Sequence, residues 1–243
     1  MCTVSIIAMD GGYRLVTNRD VGRDRVLAEY PHAWGVNDTA IGPIDPEGGG
    51  TWVAARPGLT LCILNYNLEN PPEAPPEPTS RGRIIPALID LPDATTAIEG
   101  LRTLDLDRFV PFRLLAVDRL SGGVTIVEGR WNGQAFERFD HPLGPPAIFV
   151  SSGLGDSVVS DRVPLFEQIV VAGGSTSLAQ DVYHRHTWPD RGAVSVLMIR
   201  AAARTVSITE VEDTEGGLDM RYHPIDEEGA LERGFFAAVS AAK

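Results

Sequence analysis

Four times along this chain an apolar run doubles back on itself through a short connection, and a chain built that way is committed to antiparallel sheets. Thr3 to Ala8 and Tyr13 to Thr17 flank Asp10-Gly11-Gly12, where the glycines make positive φ available. Thr51 to Ala55 and Leu59 to Tyr66 flank Arg56-Pro57-Gly58, and Phe112 to Val117 and Val124 to Glu128 flank a turn ending in Ser121-Gly122-Gly123. Val194 to Ile199 and Thr205 to Val211 supply the fourth pair, with Ala147 to Ser151 as a further apolar strand.

Helical patterns lie between these hairpins. Asp93 can cap a helix that places Ala97, Ile98, Leu101 and Leu104 on one face, and Ser80 can cap an earlier turn carrying Ile84, Ile85 and Leu88. Asp161 opens another with Pro164 in its first turn and Leu165, Phe166 and Ile169 facing inward. Leu231, Phe235 and Val239 repeat at helical spacing near the C terminus. One-sided helices around hairpin sheets predict a layered α+β domain. The nearly continuous apolar run Leu59 to Leu64 predicts a strand buried on both faces, as where two sheets pack together with helices outside. Five prolines within Pro71 to Pro78 favour extended polyproline geometry, read as a stiff surface loop within a single domain spanning 1–243.

Charge narrows the function. Twenty-one Lys and Arg against 33 Asp and Glu give a net charge of −12, which repels phosphate backbones and anionic lipid heads and argues against nucleic-acid and membrane-surface partners. The longest purely apolar stretches, such as Val196 to Ile199, fall far short of the roughly 20 residues that span a bilayer, so no membrane insertion is expected. Val4 to Met9 has no basic segment before it and no small-residue cleavage pattern after it, and the 2 cysteines form no disulfide framework. Both points fit a cytoplasmic protein.

Position makes Cys2 the candidate nucleophile. Removal of Met1 would give it a free α-amine beside its thiol. The ordinary pKa values, about 8.5 for the thiol and about 7.7 to 8.0 for the amine, let the amine serve as base for its own side chain. The alternative is a small apolar residue at a strand start. The first hairpin brings Asn18-Arg19-Asp20 back towards residues 2 to 4, where Arg19 can stabilise a thiolate and Asp20 can orient an ammonium; the alternative is a solvated strand end.

Met1-Cys2, Thr17-Asn18-Arg19-Asp20, Gly48-Gly49-Gly50-Thr51-Trp52, Leu64-Asn65-Tyr66 and Ser80-Arg81-Gly82, in that order, resemble the NRDE family, which includes the transport and Golgi organisation protein 2 group. Ser152-Gly153-Leu154 and Arg191 are weaker matches. The resemblance implies an N-terminal-nucleophile hydrolase-like fold, four layers αββα with mainly antiparallel sheets. It implies cleavage of a linear N-acyl amide through a thioester on Cys2, supported by Arg19, Asp20 and an oxyanion donor at Asn65. Asn18, Trp52, Tyr66, Ser152 and Arg191 are then the expected substrate-binding residues, and the ligand a small molecule with an acyl or anionic group. The sequence departs from the pattern at Val21, where the family has glutamate, at Asn67, where a basic residue is common, and at Ser151-Ser152, where a second oxyanion amide is sought.

The resemblance also carries a non-catalytic alternative, a haem or acyl-lipid carrier, for which His184 or His186 of Tyr183-His184-Arg185-His186 would be the axial ligand. The residues themselves read as a solvated loop, with no ligand trio for a metal and no Cys-x-x-Cys-His for covalent haem. No resident cofactor is expected. Gly48-Gly49-Gly50 reads as an anion nest or as a tight loop that lets Trp52 pack, and Cys62, inside an apolar strand, as structural.

Overall fold

A computed structural model describes residues 2–35, 38–119, 123–142 and 146–231. Its first two strands, β1 (Cys2–Met9) and β2 (Gly12–Gly22), pair antiparallel from Cys2↔Arg19 to Met9↔Gly12. Gly11 turns the hairpin at φ 67°, a conformation that costs a residue without Cβ nothing. β1 also pairs with β10 (Ala147–Ser151), and β2 with β11 (Ala203–Thr214), which returns through β12 (Gly217–Pro224). The five-stranded sheet therefore runs β10-β1-β2-β11-β12.

Seven strands make the second sheet, in the order β3 (Glu29–Trp34), β4 (Ala40–Ile44), β5 (Val53–Arg56), β6 (Leu59–Asn65), β7 (Phe112–Asp118), β8 (Thr125–Trp131) and β9 (Phe136–His141). Consecutive strands are neighbours throughout and every pair is antiparallel, with the one long connection, between β6 and β7, carrying the helices that cover this sheet. Ser121 and Gly122 of the expected turn, and Phe235 and Val239 of the C-terminal repeat, lie outside the described residues.

Strand alternation sends alternate side chains in opposite directions. Val4, Ile6, Tyr13 and Leu15 join Leu64, Leu115 and Val117 in one buried cluster between the sheets. Tyr13 Oη donates to Thr60 Oγ1 at 2.7 Å, so the phenol buried there keeps a hydrogen-bond partner on the facing sheet. Helices α1 (Ile84–Leu88) and α2 (Ala94–Gly100) pack on β6, β7 and β8. Helices α3 (Arg162–Phe166), continued as a π-turn to Val171, and α4 (Ser177–His184) pack on β10, β1 and β2. The fold is thus mixed α+β, with antiparallel sheets and helices against each. Among the described residues no helix is long and apolar enough to cross a membrane.

Asp93 caps α2 as expected, its carboxylate accepting from Thr96 N–H at 2.7 Å. Ser80 makes no such bond, because a 3-10 turn, Arg81–Arg83, intervenes before α1. The fourth hairpin differs from expectation. Val194 to Ile199 is not a strand: Val196 and Leu197 fill buried apolar clusters, and β11 pairs instead with β12. The partner strand was hidden because Asp219, Arg221 and His223 alternate with its apolar residues, whereas the continuous run 196–198 is apolar for packing and not for pairing. The loop reading of residues 183–186 is also corrected. Thr176 caps α4, and Gln180, Tyr183 and His184 sit buried on one helical face.

Candidate active site

Register places Cys2 between Arg19 of β2 and Ser151 of β10, at the end of the five-stranded sheet. A cleft of about 710 Å³ opens there, lined by Cys2, Arg19, Asp20, Trp52, Asn65 and Arg81 among others. Asn65 arrives as the last residue of β6. Trp52 and Arg81 arrive because two loops touch: Thr51 N–H donates to Gly82 O at 3.0 Å, and a Cβ on Gly50 would meet Gly82 O at 2.2 Å. The glycine run is therefore a close-approach device. It brings the 80–82 segment to the cleft, and its Gly48 N–H is already taken by Asp45 at 3.1 Å.

Asp45, which the sequence did not single out, organises this end. One carboxylate oxygen, Oδ2, accepts from Arg19 and from Arg25, each at 2.7 Å, while Oδ1 accepts the N–H groups of Glu47 and Gly48. Burial opposes its ionisation, yet Gly48 N–H and Arg25 outweigh that and hold the carboxyl below its usual range. So anchored, the Arg19 guanidinium lies 4.1 Å from the Trp52 ring centroid, a cation–π contact in a buried setting.

Cys2 is 8% exposed, and burial pushes its thiol up; a backbone hydrogen bond from Asp20 and the Arg19 charge pull the other way. Burial also raises the Asp20 carboxyl, against the pull of Arg162 and of Thr205, whose hydroxyl donates to it at 2.6 Å. Arg81 lies within electrostatic range of Cys2, and burial lowers its pKa. Cys62, fully buried opposite Leu115, has its thiol pushed well up by desolvation, which fits the structural role expected.

The remaining expected residues separate. Tyr66 lines an adjoining cavity, whereas Ser152 lines neither, although its neighbour Gly153 lines both. Ser152 Oγ accepts from Leu154 N–H and from Arg200 at 3.3 Å. Arg191 is not at the cleft: half exposed, it pairs with Asp161 at 2.7 Å and stacks on Trp188. It was expected to precede a strand leading to the pocket, and that strand does not form. Asn18 points to the opposite face of β2, under α4.

There Asn18, Ser5 and His184 form a sealed network. Asn18 Nδ2 donates to His184 O and Val196 O, each at 3.0 Å, which turns Oδ1 towards His184 Nδ1 at 2.5 Å. Nδ1 must then carry the proton, and Nε2 accepts from Ser5 Oγ at 2.7 Å. All three residues are fully buried. Both ring nitrogens are engaged, so His184 has none left for an axial haem ligand. His186 stacks edge-on against Trp188, away from the cleft. Among the described residues no group of three or more His, Cys, Asp or Glu is placed to hold a metal ion.

Compared with known proteins, the chain matches no family model and no curated protein sequence.

Proposed function

We propose that this chain is an NRDE-type cysteine hydrolase with an N-terminal-nucleophile hydrolase-like αββα sandwich, cleaving a linear N-acyl amide through Cys2. The observation that carries the reading is the convergence of Cys2, Arg19, Asp20 and Asn65 on one cleft, although they come from three strands and from sequence positions up to 63 apart.

With Met1 removed, the α-amine takes the thiol proton, and Asp20 holds the resulting ammonium while Arg19 stabilises the thiolate. Sulfur attacks the amide carbonyl carbon, a C–S bond forms, and Asn65 N–H donates to the oxyanion. Collapse breaks the C–N bond, and the ammonium passes its proton to the leaving amine. Water then attacks the thioester, giving carboxylic acid and free thiol. The sum is amide plus water to acid plus amine.

Turnover of a panel of N-acyl amides by the purified chain, with intact mass measured on the same sample, tests this. The expected result is loss of Met1 and turnover that disappears in Cys2→Ala. Retained Met1 in an active sample removes the α-amine base, and activity surviving Cys2→Ala removes the nucleophile.

A further inference from the structure

A second cavity of about 650 Å³ meets the Cys2 cleft at Asn65, Arg81, Val110 and Gly153, so the two are lobes of one channel with these residues at its waist. The lobes differ in character. The Cys2 lobe is lined by Arg19, Arg25, Asp45 and Glu47, which neutralise one another: Arg25 reaches Asp45 at 2.7 Å and Glu47 at 3.3 Å, and Arg19 reaches Asp45. The second lobe is walled by Leu68, Pro71, Pro72, Pro111 and Leu154, with Glu69 as its lining carboxylate. The proline-rich segment thus forms a stiff apolar wall.

Arg81 stands apart from the other cations. Its Nη1 donates to Pro111 O at 3.0 Å, and among the described residues no carboxylate comes within ion-pair distance of it. A half-buried guanidinium without a carboxylate partner is only partly compensated, and an oxyanion supplied by a ligand adds a two-pronged, charge-assisted contact. Asn65 beside it adds an amide that can donate to the same ligand.

We propose that Arg81 is a ligand-anchoring residue: it binds the carboxylate of a small amphiphile whose uncharged chain lies along the proline wall of the second lobe. The inference rests on the hydrolase reading only for its suggestion that an amide lies next to that carboxylate, at the waist between Asn65 and Cys2.

The test is calorimetric binding of N-octanoylglycine and of its uncharged counterpart N-octanoylglycinamide to the Cys2→Ala chain, which separates binding from turnover. The carboxylate ligand is expected to bind about thirtyfold tighter, equivalent to about 2 kcal/mol. Adding Arg81→Gln is expected to bring that ratio within threefold of unity, and Arg81→Lys to leave it in between, since charge is kept and the planar fork lost. A thermal melt of each variant confirms folding. A ratio unchanged by Arg81→Gln overturns the proposal, as does equal loss of both ligands or binding of neither at millimolar concentration. If the ratio behaves as expected and the wild-type chain turns over no amide, the anchoring role stands and the hydrolase reading falls. If turnover is found but the ratio ignores Arg81, the reverse holds.

Discussion

The β1–β2 hairpin carries a nucleophile-type side chain on each face, Cys2 on one and Ser5 on the other, and the two faces meet opposite fates. At its open end Cys2 and Arg19 line a cleft of about 710 Å³. Three residues along, Ser5, His184 and Asn18 hold the hydrogen-bond order of a serine–histidine triad, down to the tautomer, yet are fully buried beneath α4. Gln180 Nε2 also donates to Ser5 Oγ at 2.8 Å, which occupies the hydroxyl further. Geometry alone would favour the serine face; access favours the cysteine face. Burial drives the His184 pKa down to about 3, so its imidazole cannot take a proton from Ser5 near neutral pH; burial raises the Cys2 thiol as well, but there the Arg19 charge pulls the other way. The hydrogen bonds that would make a catalyst in a cleft make a brace in a core.

The sharpest way to break this contrast is to cut each face in turn. Cys2→Ala is expected to lower turnover of a responsive N-acyl amide by about a thousandfold or more, in line with loss of a nucleophile, while Ser5→Ala leaves turnover within about twofold. Labelling with iodoacetamide followed by peptide mass mapping should find Cys2 modified in the folded chain and Cys62 spared, because Cys2 lines the cleft whereas Cys62 is fully buried within β6. A serine-directed fluorophosphonate that labelled Ser5 would reverse the assignment.

Stability should show the opposite ranking. His184→Ala leaves Ser5 Oγ and Asn18 Oδ1 without their imidazole partner and opens a cavity under α4, for an expected loss of about 3 kcal/mol in urea unfolding. Cys2→Ala removes one sulfur at the rim of a cleft and should cost about 1 kcal/mol or less. Equal losses would mean that the cysteine end is as much core as the histidine end.

Asp45 tests whether the open face is organised or merely accessible. It fixes Arg19 over Trp52, so it is a positioning residue and touches no reacting atom. Asp45→Asn is expected to lower kcat/KM about thirtyfold, roughly 2 kcal/mol. It should also raise the midpoint pH for Cys2 alkylation, because Arg19 no longer stays where it favours the thiolate. A midpoint that falls would show that the Asp45 charge, and not its hold on Arg19, governs the thiol.

Much of the open face was legible in the sequence and much of the sealed one was not, for a physical reason. Two-residue periodicity and the glycine turn specify the pairing of Cys2 with Arg19 locally, within one hairpin. Asn65 depended on the fold, and a short family-like block pointed to it. Asp45 and Arg81 act through loops whose approach is allowed by Gly50 and Gly82, a contact between residues 32 apart in sequence that leaves no periodic trace. Arg81 lay in a block the sequence had already singled out, so its charge just after the proline-rich run was the available signal. On the sealed face α4 buries Gln180 and His184, polar residues that read as loop because helical patterns are recognised by apolar stripes. The missing strand β12 failed in the same way, with charges on every second residue.

The smallest effect is also the cleanest separation of the two faces, since it needs no substrate. His184 is neutral in the fold, with its pKa driven to about 3, while in the unfolded chain it titrates near the ordinary value of about 6.5. Well above pH 6.5 neither state binds the proton and the full stability is present. As pH falls below 6.5 the unfolded state gains a proton that the folded state refuses. Stability should therefore decline at up to about 1.4 kcal/mol per pH unit, approached once pH is well below 6.5. Glu210, held down to about 2, begins to add its own loss only as pH approaches the ordinary carboxylate range, and the Asp20 and Asp213 carboxyls, raised by burial, act alike in wild type and variant, so the difference between the two from pH 6.5 to 5 reports His184. His186, also lowered by burial, contributes to both wild type and variant and cancels in their difference. Urea unfolding across that interval should show a shallower slope for His184→Gln than for wild type, by close to one proton at its acid end. Cys2→Ala, whose thiol titrates far above this range, should follow the wild-type slope. Identical slopes for His184→Gln and wild type would mean that the imidazole takes a proton in the folded chain, which requires α4 to lift and would open the serine face after all.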